Sequence, residues 1–371
     1  MNNKSLYFHS LDGLRSIACI LVIIAHSFSV YRDVSMKEQN NPLKTFLDLG
    51  QEGVSLFFVL SGFLITYLLI KEFKINKRIN LLHFYIRRTL RIWPLFYLVV
   101  LYALFAFPLI CLFLNLNHDQ NGDILMNLTF LNNFDLLTLT ENDNIGFNQQ
   151  LQITWSVAIE EQFYLIWPLI FILMARTKKY FVIFFCLFSI ILLFRFNSNQ
   201  IVTYFHSFSA AFDLLTGCLS AFFISNSEKT LNYIKTQENR TRIIIYFIGV
   251  LLIFSKSILD MYFSAHYLII IFFAFVILDQ SFNQNNYIKL VNFKRLSNIG
   301  KYTYGMYLLH PIPLLYLKHI FDFSGISYKT NFLNSSILFL LTLVFTITMS
   351  YLSYHYFESF FLKLKKKFIA D

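Results

Sequence analysis

The chain has 371 residues, of which 56% are hydrophobic, 19% aromatic and only 14% charged, with a formal net charge of +10. Soluble domains carry about 25% charged residues, so a soluble globular fold is excluded. The apolar residues gather in runs of about 17 or more with few charges, which marks transmembrane helices. The alternating strands of a membrane barrel are absent. The fold class is therefore all-α, a polytopic membrane protein.

About ten spans are predicted, at roughly 14–31, 50–70, 92–114, 160–175, 180–196, 208–225, 242–257, 262–279, 300–320 and 333–357. With the amino terminus inside, 24 of the 31 lysines and arginines fall in the inner segments and seven in the outer ones. That asymmetry sets both termini in the cytoplasm. It also assigns the basic balance to topology and excludes a nucleic-acid partner. The tail, LKLKKKF, reads as an interfacial anchor on membrane lipid. Cys19, Cys111, Cys186 and Cys218 lie in or beside apolar runs with no C-x-x-C pair, so neither a zinc site nor a disulfide frame is expected. The first apolar run has no small-residue cleavage site after it and reads as a retained helix. The whole chain, 1–371, reads as one integral-membrane domain without repeats.

The first span, LDGLRSIACILVIIAHSFS, carries Arg15 at its start and His26 inside it. Ten residues separate them, which on a helix places the imidazole about 16 Å along the axis from Arg15. In a hydrocarbon core roughly 30 Å thick, that is near mid-membrane. Ionisable groups there are costly and suggest a functional site; a histidine that merely bonds a neighbouring helix is the alternative. The second span opens EGVSLFFVLSGFLIT, where Ser61 and Gly62 allow a close backbone approach. The third begins HFYIRRTLRIWPLFYL. Arg88 and Arg91 share a helix face, and a pair of guanidinium forks suits phosphate groups; positive-inside anchoring would also account for them. Arg15 lies on the same side of the membrane.

The connection 115–153 has no lysine or arginine and is rich in Asn, Asp and Gln. It is expected outside the cytoplasm, either covering a polar acceptor or as a solvated connector. The fourth span opens ITWSVAIEEQFYLIWPL. Glu160 and Glu161 stand among Trp155, Tyr164 and Trp167, an interfacial aromatic belt. A carboxylate there could bind a sugar hydroxyl, hold a helix or orient a histidine. The ninth span, IGKYTYGMYLLHPIPLLYL, holds His310 about 15 Å past Gly300. Pro311 and Pro313 cannot donate backbone hydrogen bonds and kink the helix. His310 either lines a cavity or satisfies carbonyls freed by the prolines. In the last span, SYHYFESFFLKLKKK, His355 and Glu358 read as a structural pair. Asp213 and Asp279 are further polar residues without an assignment.

LDGLRSIACILVIIAH, GVSLFFVLSGFLIT, FYIRRTLRIWPLFYL, WSVAIEEQFYLIWPL, YTYGMYLLHPI and SYHYFESFFLKLKKK resemble, in this order, the signature blocks of acyltransferase family 3. These are membrane-bound O-acyltransferases of surface polysaccharides, and the blocks span residues 11–367. The resemblance implies a bundle of about ten helices in a bacterial cytoplasmic membrane. It implies an acyl-CoA donor, usually acetyl-CoA, reached from the cytoplasm. The acceptor would be a hydroxyl of an extracytoplasmic glycan or its lipid-linked precursor. The family's basic-residue-to-histidine motif falls on Arg15 and His26, its paired arginines on Arg88 and Arg91, and its W-S-x-x-x-E block on Trp155, Ser156 and Glu160. On this basis His26, Glu160 and His310 are the candidate catalytic residues, with His26 as general base. Arg15, Arg88, Arg91 and Ser61 are the candidate donor-binding residues, and no metal is implied. Many members have Asp where this chain has Ser55; Glu52, Glu160 or Asp12 could substitute. Many also carry a soluble esterase-like domain, which is not expected here. A transporter with a histidine-lined pathway is the rival reading, but the paired halves typical of transporters are not found.

Overall fold

A computed structural model describes residues 8–35, 42–47, 49–114, 123–141, 150–259, 264–284 and 288–368. Every regular element among them is a helix. The principal ones are α1 (His9–Ser27), α2 (Ser29–Ser35), α3 (Gly50–Asn76), α4 (Leu81–Leu101), α5 (Trp155–Thr177), α6 (Tyr180–Phe196), α7 (Ser207–Asn226), α8 (Asn239–Phe254), α9 (His266–Phe282), α10 (Thr303–Leu309), α11 (Pro311–Phe323) and α12 (Phe332–Leu352). Among the described residues, six helical stretches are long and apolar enough to cross a membrane: His9–Ser27, Gly50–Asn76, Leu81–Phe113, Gln152–Thr177, Ser207–Asn226 and Phe332–Phe368. The apolar helices α6 and α9 have 17 residues each and α8 has 16. The protein is thus polytopic and helical. The expected ninth span is two helices meeting at His310, because Pro311 cannot donate to the carbonyl four residues back. Much of the expected outer connection, 115–122 and 142–149, lies outside the described residues; the rest holds short helices Ile124–Leu128 and Asn132–Glu141.

The chain forms two compact units, Met1–Tyr67 with Thr216–Thr348, and Leu68–Leu215 with Met349–Asp371. In the first unit, small residues set the helix spacing, as expected where lipid removes the hydrophobic drive for helix association. A Cβ on Gly53 would meet Ala18 O at 2.6 Å, and one on Gly50 would meet Ala25 Cβ at 2.7 Å. The amino-terminal end of α3 therefore lies directly against the second half of α1. Further along α3, a Cβ on Gly217 of α7 would collide with Val59 O and stand 2.7 Å from Phe63 N. Cys218 Sγ donates to Gly62 O at 3.5 Å in the same crossing. The Ser61–Gly62 step thus packs helix on helix, with Ser61 itself half-buried.

The same unit contains a buried ionic knot. Arg242, with no exposed surface, forks onto Asp279 through Nε–Oδ1 at 2.7 Å and Nη2–Oδ2 at 2.8 Å. Its Nη1 donates to Asn239 Oδ1 at 2.8 Å. Tyr246 OH donates to Asp279 Oδ2 at 3.0 Å and accepts from Gln280 Nε2 at 2.9 Å. A buried ion pair is tolerable only when its remaining hydrogen-bonding groups are satisfied, and here neighbours satisfy them. Tyr246→Phe removes a donor from Asp279 and an acceptor from Gln280. It is expected to lower stability by about 1.5–3 kcal/mol, read as a lower thermal midpoint of the detergent-solubilised protein.

The second unit is built on aromatic stacking. Trp167, 1% exposed, stacks on Phe163 at 5.4 Å and touches Phe184 at 5.9 Å. Phe96 stacks on Phe130 at 4.3 Å. A π-helical turn, Tyr102–Ala106, interrupts the stretch after α4, and another, Ser353–Glu358, follows α12.

Candidate active site

The first half of α1 lies along the segment before α10. Ser16 Oγ is 2.8 Å from Leu296 O, a Cβ on Gly13 would stand 2.7 Å from Leu290 Cβ, and one on Gly300 would collide with Asp12. Higher up, Cys19 Sγ reaches Thr303 O at 3.9 Å. Buried Asp12, Ser16, Cys19 and Ile23 recur every three or four residues on the side of α1 that makes these contacts, a spacing that leads on to His26, whereas Ala18, Val22 and Ala25 face α3. With the helices laid side by side in this register, His26 and His310 meet although 284 residues separate them.

His26 Nδ1 and His310 Nε2 are 3.0 Å apart, with ring centroids at 5.1 Å and planes tilted by 45°. His310 is completely buried, whereas His26 is partly exposed. The other nitrogen of His310, Nδ1, is 2.7 Å from Tyr307 O. Tyr307 is four residues before Pro311, so its carbonyl receives no helical hydrogen bond from that residue. A carbonyl can only accept, so His310 Nδ1 carries a proton and donates. In the neutral ring Nε2 is then an acceptor, and His26 Nδ1 must donate to it. The neutral His26 ring consequently presents Nε2 with its lone pair available, and no further partner holds that atom among the described residues. The geometry is that of an oriented general base: one group fixes the ring and tautomer, and the far nitrogen is left to accept a proton. Beyond His26, α1 stops at Phe28, whose N–H bonds Ile24 O at 3.0 Å, and Ser29 Oγ donates to His26 O at 2.9 Å.

The carboxylates expected to stand in for the missing aspartate have other partners. Asp12, 2% exposed, bonds Arg15 Nη1 at 2.7 Å. It lies fourteen residues before His26, about 21 Å along the helix. Glu52 takes Lys256 Nζ at 2.6 Å. Ser55 is buried on α3. The group that orients His26 is another histidine. Arg15 keeps a fifth of its side chain exposed at the opposite end of α1, with Asp12 bracing it.

The remaining candidates belong to the second unit. The Arg88 guanidinium lies over the rings of Phe84 at 5.7 Å and Tyr164 at 5.4 Å, a cation–π sandwich. Tyr164 OH donates to Glu160 Oε2 at 2.8 Å, so Glu160 braces the ring on which Arg88 rests. Trp93 Nε1 donates to Glu161 Oε2 at 2.8 Å. Arg87, next to Arg88 in sequence, is committed to Glu72 at 3.2 Å and Phe368 O at 2.8 Å. Arg91 feels the Glu358 carboxylate, which accepts from Ser353 Oγ at 3.0 Å and not from His355.

Comparison with known proteins follows the same residues. The family model described as an acyltransferase domain, that of acyltransferase family 3, matches residues 8–355. The chain belongs to this family. Among curated proteins, peptidoglycan O-acetyltransferase OatA of Listeria monocytogenes is 31% identical over 82% of this chain and 49% of its own length. A Bacillus subtilis protein named "Putative peptidoglycan O-acetyltransferase YrhL" is 28% identical over 83% of this chain and 49% of its own length. A Staphylococcus aureus (strain COL) protein named "Putative O-acetyltransferase" is 27% identical over 97% of this chain and 58% of its own length. The chain spans about half the length of the curated relatives it matches. No solved structure matches it.

Proposed function

We propose that this acyltransferase-family domain is an O-acetyltransferase of a bacterial cytoplasmic membrane. On this reading it crosses the membrane about ten times with both termini inside. It moves an acetyl group from cytoplasmic acetyl-CoA to a hydroxyl of an extracytoplasmic glycan or its lipid-linked precursor. Peptidoglycan is the acceptor suggested by the names of two relatives. The observation that carries the reading is the His26–His310–Tyr307 relay, which leaves His26 Nε2 as a base on a partly exposed ring.

In this mechanism His26 Nε2 takes the proton of the acceptor hydroxyl as its oxygen attacks the thioester carbonyl. The C–S bond breaks, and the proton passes from Nε2 to the departing sulfur, giving the acetyl ester and free coenzyme A thiol. His310 Nε2 accepts from His26 Nδ1–H throughout and holds the ring in place. Arg15 takes a donor phosphate at the cytoplasmic end of α1. Arg88 and Arg91 are likewise assigned to donor phosphates, Ser61 to a donor contact and Glu160 to positioning Tyr164 under Arg88. Transfer is direct or passes through an acyl-enzyme.

The test gives membranes containing the full chain radiolabelled acetyl-CoA and follows label onto extracellular glycan. Label on glycan supports the proposal, and its absence from an active preparation of the folded protein overturns it. Within the same assay, Arg88→Ala with Arg91→Ala is expected to raise KM for acetyl-CoA by about tenfold with little change in kcat, the pattern of lost uniform binding. An unchanged KM would return these arginines to membrane anchoring.

A further inference from the structure

Four aromatic rings from three helices of the first unit meet where α1 begins. Phe8 caps α1 in a non-helical conformation, φ −92° and ψ 89°. Its ring stands edge-on to Tyr67 of α3 at 5.4 Å and to Phe282 of α9 at 5.5 Å. Tyr67 and Phe282 are 5.8 Å apart. Phe63, with no exposed surface, forms the floor of the cluster, stacked on Tyr67 at 5.8 Å and standing 6.1 Å from Phe8. The other three rings are partly exposed. The result is an aromatic shelf over a buried base. Its place on α1 relates it to the residues already assigned. Arg15 and His26 are eleven residues apart, about three turns, and so lie on the same side of the helix. Phe8 precedes Arg15 by seven residues, about two turns and about 10 Å along the axis.

Packing alone explains the three phenylalanines. It does not explain the phenol of Tyr67, which is half-buried and hydrogen-bonds no residue among those described. A tyrosine withdrawn from water usually finds a partner for its hydroxyl; those of Tyr164 and Tyr246 each hold a carboxylate. The shelf thus joins partly exposed ring surface to an unused hydroxyl, the two things a purine needs, a surface to stack on and a polar group for its edge. We propose that Phe8, Tyr67 and Phe282 stack the adenine of the acyl donor and that the Tyr67 hydroxyl bonds the edge of the base. The proposal rests on the transferase reading above for the identity of the donor. With a donor phosphate on Arg15, the base lies back along α1 at the shelf and the acyl arm extends the other way, toward His26. Stacking a base on aromatic side chains is worth about tenfold or more in affinity.

The experiment measures equilibrium binding of two ligands to the full-length protein in detergent, adenosine 3′,5′-bisphosphate and its abasic analogue. They carry the same phosphates and differ only in the base. The adenosine compound is expected to bind the wild-type protein about tenfold more tightly. That preference should fall in Tyr67→Leu and vanish when Phe282→Leu is added, whereas Tyr67→Phe keeps the stacking and loses only the share of the hydroxyl. In transfer, Tyr67→Leu should raise KM for acetyl-CoA severalfold with kcat unchanged. It should leave KM for acetyl-4′-phosphopantetheine, which has no adenosine, at the wild-type value; a purely structural role for Tyr67 would move both donors alike. Equal binding of the two bisphosphates by the wild-type protein, which needs no variant to fold, would overturn the proposal. So would a Tyr67→Leu protein that keeps the full preference, or one that raises KM for both donors equally. Binding is measured without transfer, so the two readings fail separately. Glycan labelling together with equal binding removes the shelf and leaves the transferase, and a base preference in a protein that labels no glycan does the reverse.

Discussion

His26→Gln is expected to fold as the wild-type protein does and to lose acetyl transfer by about 10²–10⁴-fold in kcat, the usual worth of a positioned general base. That corresponds to about 3–5 kcal/mol of transition-state stabilisation. Glutamine suits the question better than alanine. Alanine leaves the completely buried His310 Nε2 without its donor, and an unsatisfied buried acceptor costs about 1–3 kcal/mol, which would mix a folding defect into the kinetics. A glutamine amide can donate to His310 Nε2 but cannot take a proton from a hydroxyl. The check is kcat for acetyl transfer beside the thermal midpoint of the same preparation. A His26→Gln protein with wild-type kcat would remove His26 from the chemistry.

The second large effect lies at His310. Two roles overlap there. The ring satisfies the Tyr307 carbonyl, which lacks a donor from Pro311, and it accepts from His26 Nδ1. Asparagine at 310 can reproduce the first role, because its amide lies near the place of Nδ1, but it offers nothing at the place of Nε2. His310→Asn is therefore expected to remain folded while kcat falls about 100-fold, with KM for acetyl-CoA little changed. His310→Gln reaches the Nε2 place and should recover part of the loss. The effect is set below that of losing the carboxylate in a serine-protease triad, because a neutral imidazole stabilises the protonated base less. If the carbonyl were the only client of His310, His310→Asn would turn over like the wild-type protein.

Much of this was legible in the chain. Apolar runs located most helices, and the deep histidines stood out because ionisable groups in such runs are costly. Arg15 and His26 were placed correctly on one helix because a helix has a fixed rise. The proline pair located the break in the ninth span. The contact between His26 and His310 was not legible, because it depends on how α1 lies against Leu290–Leu309, a register set by close approaches at Gly13, Ser16 and Gly300. Nor was the partner of His26. Sequence reasoning looked for a carboxylate to replace an aspartate at Ser55, whereas Asp12 and Glu52 are taken by Arg15 and Lys256. The prolines did point to His310 as the partner of a freed carbonyl, which is that of Tyr307; what the sequence left open is that this bond uses one ring nitrogen and leaves the other for His26. The Arg242–Asp279 knot was equally hidden, since Asp279 looks from the sequence like any polar residue ending an apolar run.

The direct measurement of the relay is the nitrogen-15 spectrum of histidine-labelled protein in lipid, with the His26 signals assigned by their absence from His26→Gln. The relay predicts a proton on His26 Nδ1, hydrogen-bonded to another imidazole, and an unprotonated Nε2. A proton found on His26 Nε2 instead would leave the ring with no lone pair to offer the hydroxyl and would contradict the mechanism.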